Sequence, residues 1–524
     1  MMVSAFDKPI ADPKSQLHNA QHGANIAFTT SRRQSAYCKV SSNIKALVRL
    51  LGIFLMAEGV LMLLCLIPAI HFVDHSANGI LVSGLFTLAV GLYMWISCSD
   101  FKVLSDRRLS FVFVVVLWLV LALFGSLPFL ATGAVRTFTN AYFETLSGFT
   151  SSGATIFEEV QHLPSSILLW RSMSQWIGGF GIILLVLAIA PTLGINKFSL
   201  YTAETSIQDP SVSLVGTTGM TVRRMLVVYV LLSAIFVWLY SKTGLPLWDA
   251  VNLTFSNISS GGFSIYNDGI ASLTAAQQYI TALAMLLSGV NFTMLYLLIS
   301  FRWNKIAGRY EQVRVYLLLF FIMAVLASVA LHTRMGYGWS DSVRLSVVQS
   351  ASVISTTGTM VADTSQWWMP VSFLFVILSL CGGMAGSTSG GIKVMRVMIL
   401  VRNVRTILKN RLHPSAVNPV RLNGRPVAHP IINNVMVLFF VYALVIIIGV
   451  FCLILSGETG TEAIGAMVGC ITGYGPGLGV SGGFGNYAAF ADVSKWICIA
   501  AMLLGRLECI TVLVLFYPPL WKLR

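Results

Sequence analysis

The sequence predicts an all-α polytopic membrane protein: four pseudo-symmetric units of span, pore helix and span around a central pore, plus two N-terminal transmembrane helices. Three observations carry that prediction. Apolar residues make up 56% of the chain and charged residues only 10%, where a soluble domain carries about 25% charged. The apolar residues gather in runs long enough to cross about 30 Å of hydrocarbon, which takes roughly 20 helical residues. Finally, four connections share one theme, a short helical stretch ending in hydroxyl residues and glycine, repeated at about one hundred residues.

The elements follow in order. Residues 1–43 are polar, contain Lys8, Lys14, Arg32, Arg33 and Lys39, and lack an apolar core of signal-peptide type; they read as a disordered cytoplasmic tail. Spans are expected near 44–72, 78–98, 109–132, 168–192, 220–240, 274–301, 312–333, 368–408 (interrupted), 431–456 and 491–517. Grouped by the repeat, they form two N-terminal helices (44–100) and four pore units (109–192, 220–301, 312–408 and 431–517).

The formal charge of +14 would point a soluble protein towards nucleic acid. In a membrane protein it is read by location instead, and no nucleic-acid partner is expected. With both termini cytoplasmic, 27 of the 34 Lys and Arg fall inside, six outside, and Arg506 in mid-span. The reverse orientation would violate the positive-inside rule in nearly every loop. Eleven acids, among them Glu144, Asp249, Asp341 and Asp363, fall outside, either as a mouth that concentrates cations or as solvated loop residues.

Two classes of chemistry find no support. The eight cysteines form no CxxC pair, so neither a disulfide framework nor a zinc site is indicated, and the eight histidines show no HExxH motif. A polytopic enzyme would need convergent His, Asp or Glu near one membrane face. An organic-solute transporter is the other alternative, and it usually shows two related halves rather than four half-helices.

The repeated runs end as Ser151-Ser152-Gly153, Ser259-Ser260-Gly261, Thr356-Thr357-Gly358 and Gly473-Tyr474-Gly475. One such turn between apolar helices is ordinarily a cap or a packing site. Four at regular spacing on one side read as a filter, in which backbone carbonyls replace an ion's hydration shell and glycine allows the backbone conformation. Irregular backbone at membrane depth must line a cavity or lie buried in protein.

The eighth span is interrupted by Gly382, Gly383, Met384, Ala385, Gly386, Ser387, Thr388, Ser389, Gly390 and Gly391. This stretch reads as a flexible gate below the filter, or else as a packing site for a neighbouring helix. Its similarity to a nucleotide-binding P-loop fails, because Ile392 separates Gly391 from Lys393 and no strand precedes it. Arg506, deep in the last span, faces either a cavity or a structural partner. Glu508 is expected on another side of that helix, and Glu58 in the first span reads as a structural or dimer-contact residue.

The four runs, together with Gln175-Trp176-Ile177-Gly178-Gly179-Phe180-Gly181-Ile182, Tyr201-Thr202-Ala203-Glu204-Thr205, Gly382 through Lys393 and Gly475-Pro476-Gly477-Leu478-Gly479, resemble the Trk/Ktr/HKT superfamily of potassium uptake proteins, closest to its TrkH/TrkG branch. The resemblance covers about residues 44–520. It implies potassium uptake across the bacterial inner membrane, with K⁺ as the transported ion and no organic cofactor on this chain. It also implies a homodimer in the lipid bilayer and a cytoplasmic nucleotide-binding regulatory subunit of the TrkA type. The resemblance places Arg506 beneath the filter as a pore charge, and the loop 382–391 as the gate. Serine at the first filter position accompanies sodium preference in plant relatives; glycine at all four positions here implies K⁺, with Na⁺ a poorer substitute. The basic segment 393–425 is the docking surface for the regulator or a site for anionic lipid. The long polar tail departs from the family pattern.

Overall fold

A computed structural model describes residues 44–98, 107–189, 218–301, 310–415 and 418–518. The tail 1–43, the Tyr201 to Thr205 motif, and the basic residues between 99–106, 190–217, 302–309 and 519–524 that enter the orientation argument lie outside the described residues.

The described chain is almost entirely helical. Ile44–His71 and Ala77–Ser97 form an antiparallel pair. Gly52 lies against Gly91 and Gly59 against Gly84, so closely that a Cβ on any of them would strike the opposite helix. Small residues of this kind are how apolar helices approach closely where no hydrophobic force separates helix from lipid.

Four units follow. The first is Arg107–Gly125, continued by Leu127–Ala131, then the half-helix Phe138–Phe149 and the return helix Ser165–Ile189. The second is Thr218–Lys242, the half-helix Leu247–Ile258 and Ala275–Ser288. The third is Tyr310–Met335, the half-helix Trp339–Ile354 and Met369–Cys381; the fourth is His429–Leu455, the half-helix Gly460–Thr472 and Asp492–Arg506. Between the last two units lie the basic helix Val394–Leu412 and a two-residue hairpin pairing Arg421 with Pro426.

Six of these helices are long and apolar enough to cross a membrane, or seven counting one bent pair. That pair corrects the expected continuous span 274–301. Ala275–Ser288 and Phe292–Ile299 meet at 107°. Asn291 caps the second piece, its Oδ1 accepting from the amides of Thr293 and Met294 at 2.9 and 3.2 Å. Gly289 O and the Phe292 amide bond instead to the interrupted stretch, through Met384 N (2.9 Å) and Gly386 O (3.0 Å). The expected span 491–517 is also broken. Its helix stops at Arg506, Glu508 takes a φ of 55°, and a short helix restarts at Cys509.

The half-helices are deeply buried although they are rich in hydroxyls. Every residue from Ala141 to Phe149 is buried, as are Ser346, Gln349, Ser350 and Ser352 in the third. Some hydroxyls of the half-helices and their caps return their proton to the helix itself, as Thr145 does to Ala141 O (2.7 Å) and Ser355 to Ala351 O (2.7 Å), whereas the Ser346, Ser350 and Ser352 hydroxyls have no hydrogen-bond partner among the described residues. Where it occurs, self-satisfaction of this kind lowers the cost of a hydroxyl inside an apolar protein. The outer faces are the reverse. His429–Leu455 leaves Phe439, Phe440, Ile447 and Phe451 exposed, an apolar surface far larger than a soluble monomer tolerates.

Candidate functional site

All four half-helices end in the same backbone motif. Each helix ends on a left-handed residue: Ser151, Ser260 and Thr356, each one past the cap at φ 52°, and Gly473, itself the cap, at 69°. The next amide reaches back five residues, Ser152 N to Ser147 O (2.9 Å), Gly261 N to Ser256 O (2.8 Å), Thr357 N to Ser352 O (2.9 Å) and Tyr474 N to Gly469 O (3.1 Å). This is the Schellman closure. It holds serine and threonine in a conformation they rarely adopt.

One residue further, each turn has a glycine at positive φ: Gly153 (76°), Gly262 (80°), Gly358 (82°) and Gly475 (88°). The second of these corrects the expected register. The run Ser259-Ser260-Gly261 is expected to match Gly261 to the other three glycines, but the hydrogen bonds match Gly261 to Ser152, Thr357 and Tyr474, and the positive φ matches Gly262 to Gly153, Gly358 and Gly475. Ser259, expected in the filter, is the helix cap.

The four glycines touch one another's turns in cyclic order. A Cβ on Gly153 would collide with the carbonyl oxygen of Gly261, one on Gly262 with that of Thr357, one on Gly358 with that of Tyr474, and one on Gly475 with that of Ser152. The contact sequence closes on itself, first turn to second, third, fourth and back. The C-terminal, partly negative ends of four helices therefore converge on one ring. Closely packed carbonyl oxygens of this kind suit a dehydrated monovalent cation.

Hydrogen bonds behind the ring strap each unit to the next. Arg171 and Glu144 form a fully buried ion pair at 2.8 Å. Glu144 also accepts from Thr155 Oγ1 (3.0 Å) and Ile156 N (2.9 Å), and Arg171 donates to Ser264 O of the second unit (3.1 Å). Asn257 Oδ1 accepts from Thr359 Oγ1 (2.8 Å), joining the second unit to the third. Gln349 Nε2 donates to the Tyr474 hydroxyl (2.9 Å), joining the third to the fourth. Tyr487 N donates to Thr155 O (2.8 Å), joining the fourth to the first, while its hydroxyl donates to Gly475 O (2.8 Å).

The run from Gln175 to Gly179 acquires a reason for each polar or small residue. Trp176 stacks between Tyr229 and Phe255 and donates to Ser233 Oγ (3.0 Å). Gly178 lies against Phe149 O and Gly179 against Ser259, where a Cβ would clash. Their carbonyls are then free to accept from Arg506.

The interrupted stretch lies against three of the four turns. Thr388 Oγ1 accepts from Ser260 Oγ (2.7 Å) and lies 3.2 Å from Ile258 O and Ser288 O. Gly390 N donates to Thr356 Oγ1 (2.7 Å), and Gly390 abuts Thr472 O. Gly382 (φ 65°) and Gly391 (φ 72°) pack on each other at the base of the loop, Gly383 O accepts from Val394 N (3.0 Å), Gly386 (φ 78°) rests on Asn291, and Ser387 Oγ donates to Met384 O (2.6 Å).

Arg506 terminates its helix rather than lying in mid-span. Its guanidinium donates to Thr388 O (2.9 Å), Gly178 O (2.7 Å) and Gly179 O (2.9 Å). Glu508, expected on another helix face, lies past the helix end and pairs with Arg396, the third residue of the helix that follows the loop. Glu58 lies inside the chain, only 4% exposed, with Oε1 beside Gly125, which corrects the dimer-contact reading.

The Glu144–Arg171 pair was not singled out from sequence, since both residues fall in segments assigned to the outer face. The signal that marks them is a lone acid in one buried helix and a lone base near the start of the next. Among the described residues no three His, Cys, Asp or Glu side chains gather as a metal centre.

Four re-entrant half-helices closing a ring inside an apolar helical protein define a polytopic membrane protein of the ion-transport class. Residues 78–522 match the TrkH family, described as a cation transport protein, and the chain belongs to that family. It is 32% identical over 484 residues, 91% of this chain and 99% of the relative, to the Trk system potassium uptake protein TrkH of Salmonella typhimurium. Against the Trk system potassium uptake protein TrkG of Escherichia coli it is 27% identical, over 92% of this chain and 99% of that one. The crystal structure of the potassium transporter TrkH from Vibrio parahaemolyticus superposes with a TM-score of 0.82 at 28% identity, covering 91% of this chain and all of that one.

Proposed function

We propose that this chain is the potassium-conducting protein of a Trk uptake system in the bacterial inner membrane. The observation that carries the reading is the closed ring of Gly153, Gly262, Gly358 and Gly475 against the carbonyls of Gly261, Thr357, Tyr474 and Ser152. The names of relatives matched over nine-tenths of the chain support K⁺ as the cargo. In this reading the four units 109–192, 220–301, 312–408 and 431–517 surround one conduction axis, with both termini cytoplasmic. K⁺ moves inward down the membrane potential, which contributes about 2.3 kcal/mol per charge for each 100 mV.

The loop 382–391 is the gate beneath the ring, and Arg506 holds it closed. Because three carbonyls receive the Arg506 guanidinium, its charge is partly spent on the loop, and its repulsion of a passing cation is the smaller part of its role. Opening requires a pull on the helix Val394–Leu412. We assign that pull to a cytoplasmic nucleotide-binding subunit of the TrkA type docking on the basic segment 393–425, in a homodimer of this chain.

Rescue of a K⁺-uptake-deficient bacterium on low potassium, with the cytoplasmic partner supplied, tests the reading. Growth restored by K⁺ is expected. No growth with well-expressed, membrane-inserted protein overturns it.

A further inference from the structure

Three of the four turns carry a side chain just before the left-handed glycine, namely Ser152, Thr357 and Tyr474, whereas the second carries Gly261. In those three turns the side chain is tied into the protein around the ring. Ser152 Oγ lies 3.0 Å from Thr150 Oγ1, Thr357 Oγ1 lies 2.6 Å from Ser355 Oγ, and the Tyr474 hydroxyl accepts from Gln349. Gly261 has no atom with which to make such a bond.

The space is nevertheless filled. A Cβ built on Gly261 would overlap the side chain of Gln175, at Cδ, Oε1 and Cβ. Gln175 projects from Ser165–Ile189 of the preceding unit and is wholly buried. Its carboxamide brackets the turn: Nε2 donates to Gly261 O at 2.7 Å and Oε1 accepts from Phe263 N at 3.1 Å. The two bonds fix which end of the amide is which. Among the described residues the equivalent carbonyls of Ser152, Thr357 and Tyr474 accept no such bond.

We propose that Gln175 is the missing fourth side chain of the ring, a positioning residue that holds the Gly261 carbonyl in place and thereby sets discrimination between K⁺ and Na⁺. The proposal rests on the potassium reading of the site. A carbonyl oxygen has two lone pairs. With one engaged by Gln175 Nε2, the oxygen is prevented from closing on a smaller cation, so the ring keeps the spacing that suits the larger one.

The test measures K⁺ and Na⁺ uptake at matched membrane abundance in four proteins: wild type, Gln175→Met, Gly261→Ser, and Gly261→Ser combined with Gln175→Ala. Gln175→Met keeps the volume and removes both hydrogen bonds. It is expected to lower the K⁺ over Na⁺ ratio about fivefold, the weight of a typical hydrogen bond. Gly261→Ser alone drives a side chain into Gln175 and should lower the ratio further. The double variant vacates the cradle and puts at position 261 a hydroxyl that can tie to Ser259, two residues before, as Ser152 ties to Thr150 and Thr357 to Ser355; because Gly261 is not among the positive-φ residues, the ratio should recover towards that of wild type. A wild-type ratio in Gln175→Met overturns the proposal, as does a double variant whose losses simply add. Wild-type protein that fails to discriminate overturns the potassium reading itself, and this proposal with it.

Discussion

The guanidinium of Arg506 reaches the carbonyl of Thr388 at 2.9 Å across 118 residues of chain. The same group also bonds the carbonyls of Gly178 and Gly179, so one cation ties the loop under the ring to the first unit. Arg506→Ala removes all three bonds; if the loop is the gate proposed above, it should open more often, raising K⁺ influx or changing its voltage dependence in cells without the proposed cytoplasmic partner. Arg506→Lys should fall between, because a single ammonium cannot reproduce the planar fork. Influx and voltage dependence both unchanged in Arg506→Ala would mean that the arginine is structural only.

Gly358 tests the ring directly. Its φ of 82° and its contact with Tyr474 O leave no room for a side chain. Strain of this kind is on the order of 1–3 kcal/mol, before any collision is counted. Relieving that strain displaces the Tyr474 carbonyl from the ring, and Gly358→Ser should lower K⁺ over Na⁺ selectivity, about tenfold for each 1.4 kcal/mol of differential binding lost. Uptake measured with both ions on the same membranes decides it; an unchanged ratio removes Gly358 from the filter.

The buried pair Glu144–Arg171 predicts a stability loss that a second change partly repairs. Losing one partner leaves a buried charge uncompensated, which costs about 3–5 kcal/mol. Arg171→Met alone should sharply lower the thermal stability of purified protein in detergent. Adding Glu144→Gln should return part of the loss, because the orphan charge is gone and an amide can still accept from Ile156 N. Equal stability of the single and double variants would show that the pair acts independently of its charges.

Arg396 and Glu508 predict a gating effect by charge exchange. Both are mostly buried, at 7% and 15% exposure, and they hold the start of the helix after the loop to the chain just past Arg506. Either Arg396→Glu or Glu508→Arg places like charges together and should raise K⁺ flux in the absence of the proposed partner. The two changes together should restore tight closure. Flux through the double variant matching the higher of the two singles would count against a pairwise latch.

Long apolar runs and the scarcity of charged residues are local properties of the chain, and they determined that this is a helical membrane protein. Glycine after a hydroxyl run is equally local, because only its lack of a Cβ permits the turn, so the four turns were legible too. The register of the second turn was not. Gly261 and Gly262 are chemically alike, and the hydrogen bond from Gly261 N to Ser256 O and the positive φ of Gly262 are what tell them apart. The bend at Gly289 to Asn291 and the break after Arg506 also escaped the sequence, since hydropathy runs straight through both. Tertiary structure decided them by supplying partners for backbone groups that the broken helices release. It decided equally that Gln175 serves a turn 86 residues away and that Arg506 serves carbonyls 328 residues away. Pairings across such separations leave no period or spacing in the chain, because each depends on where whole helices come to rest.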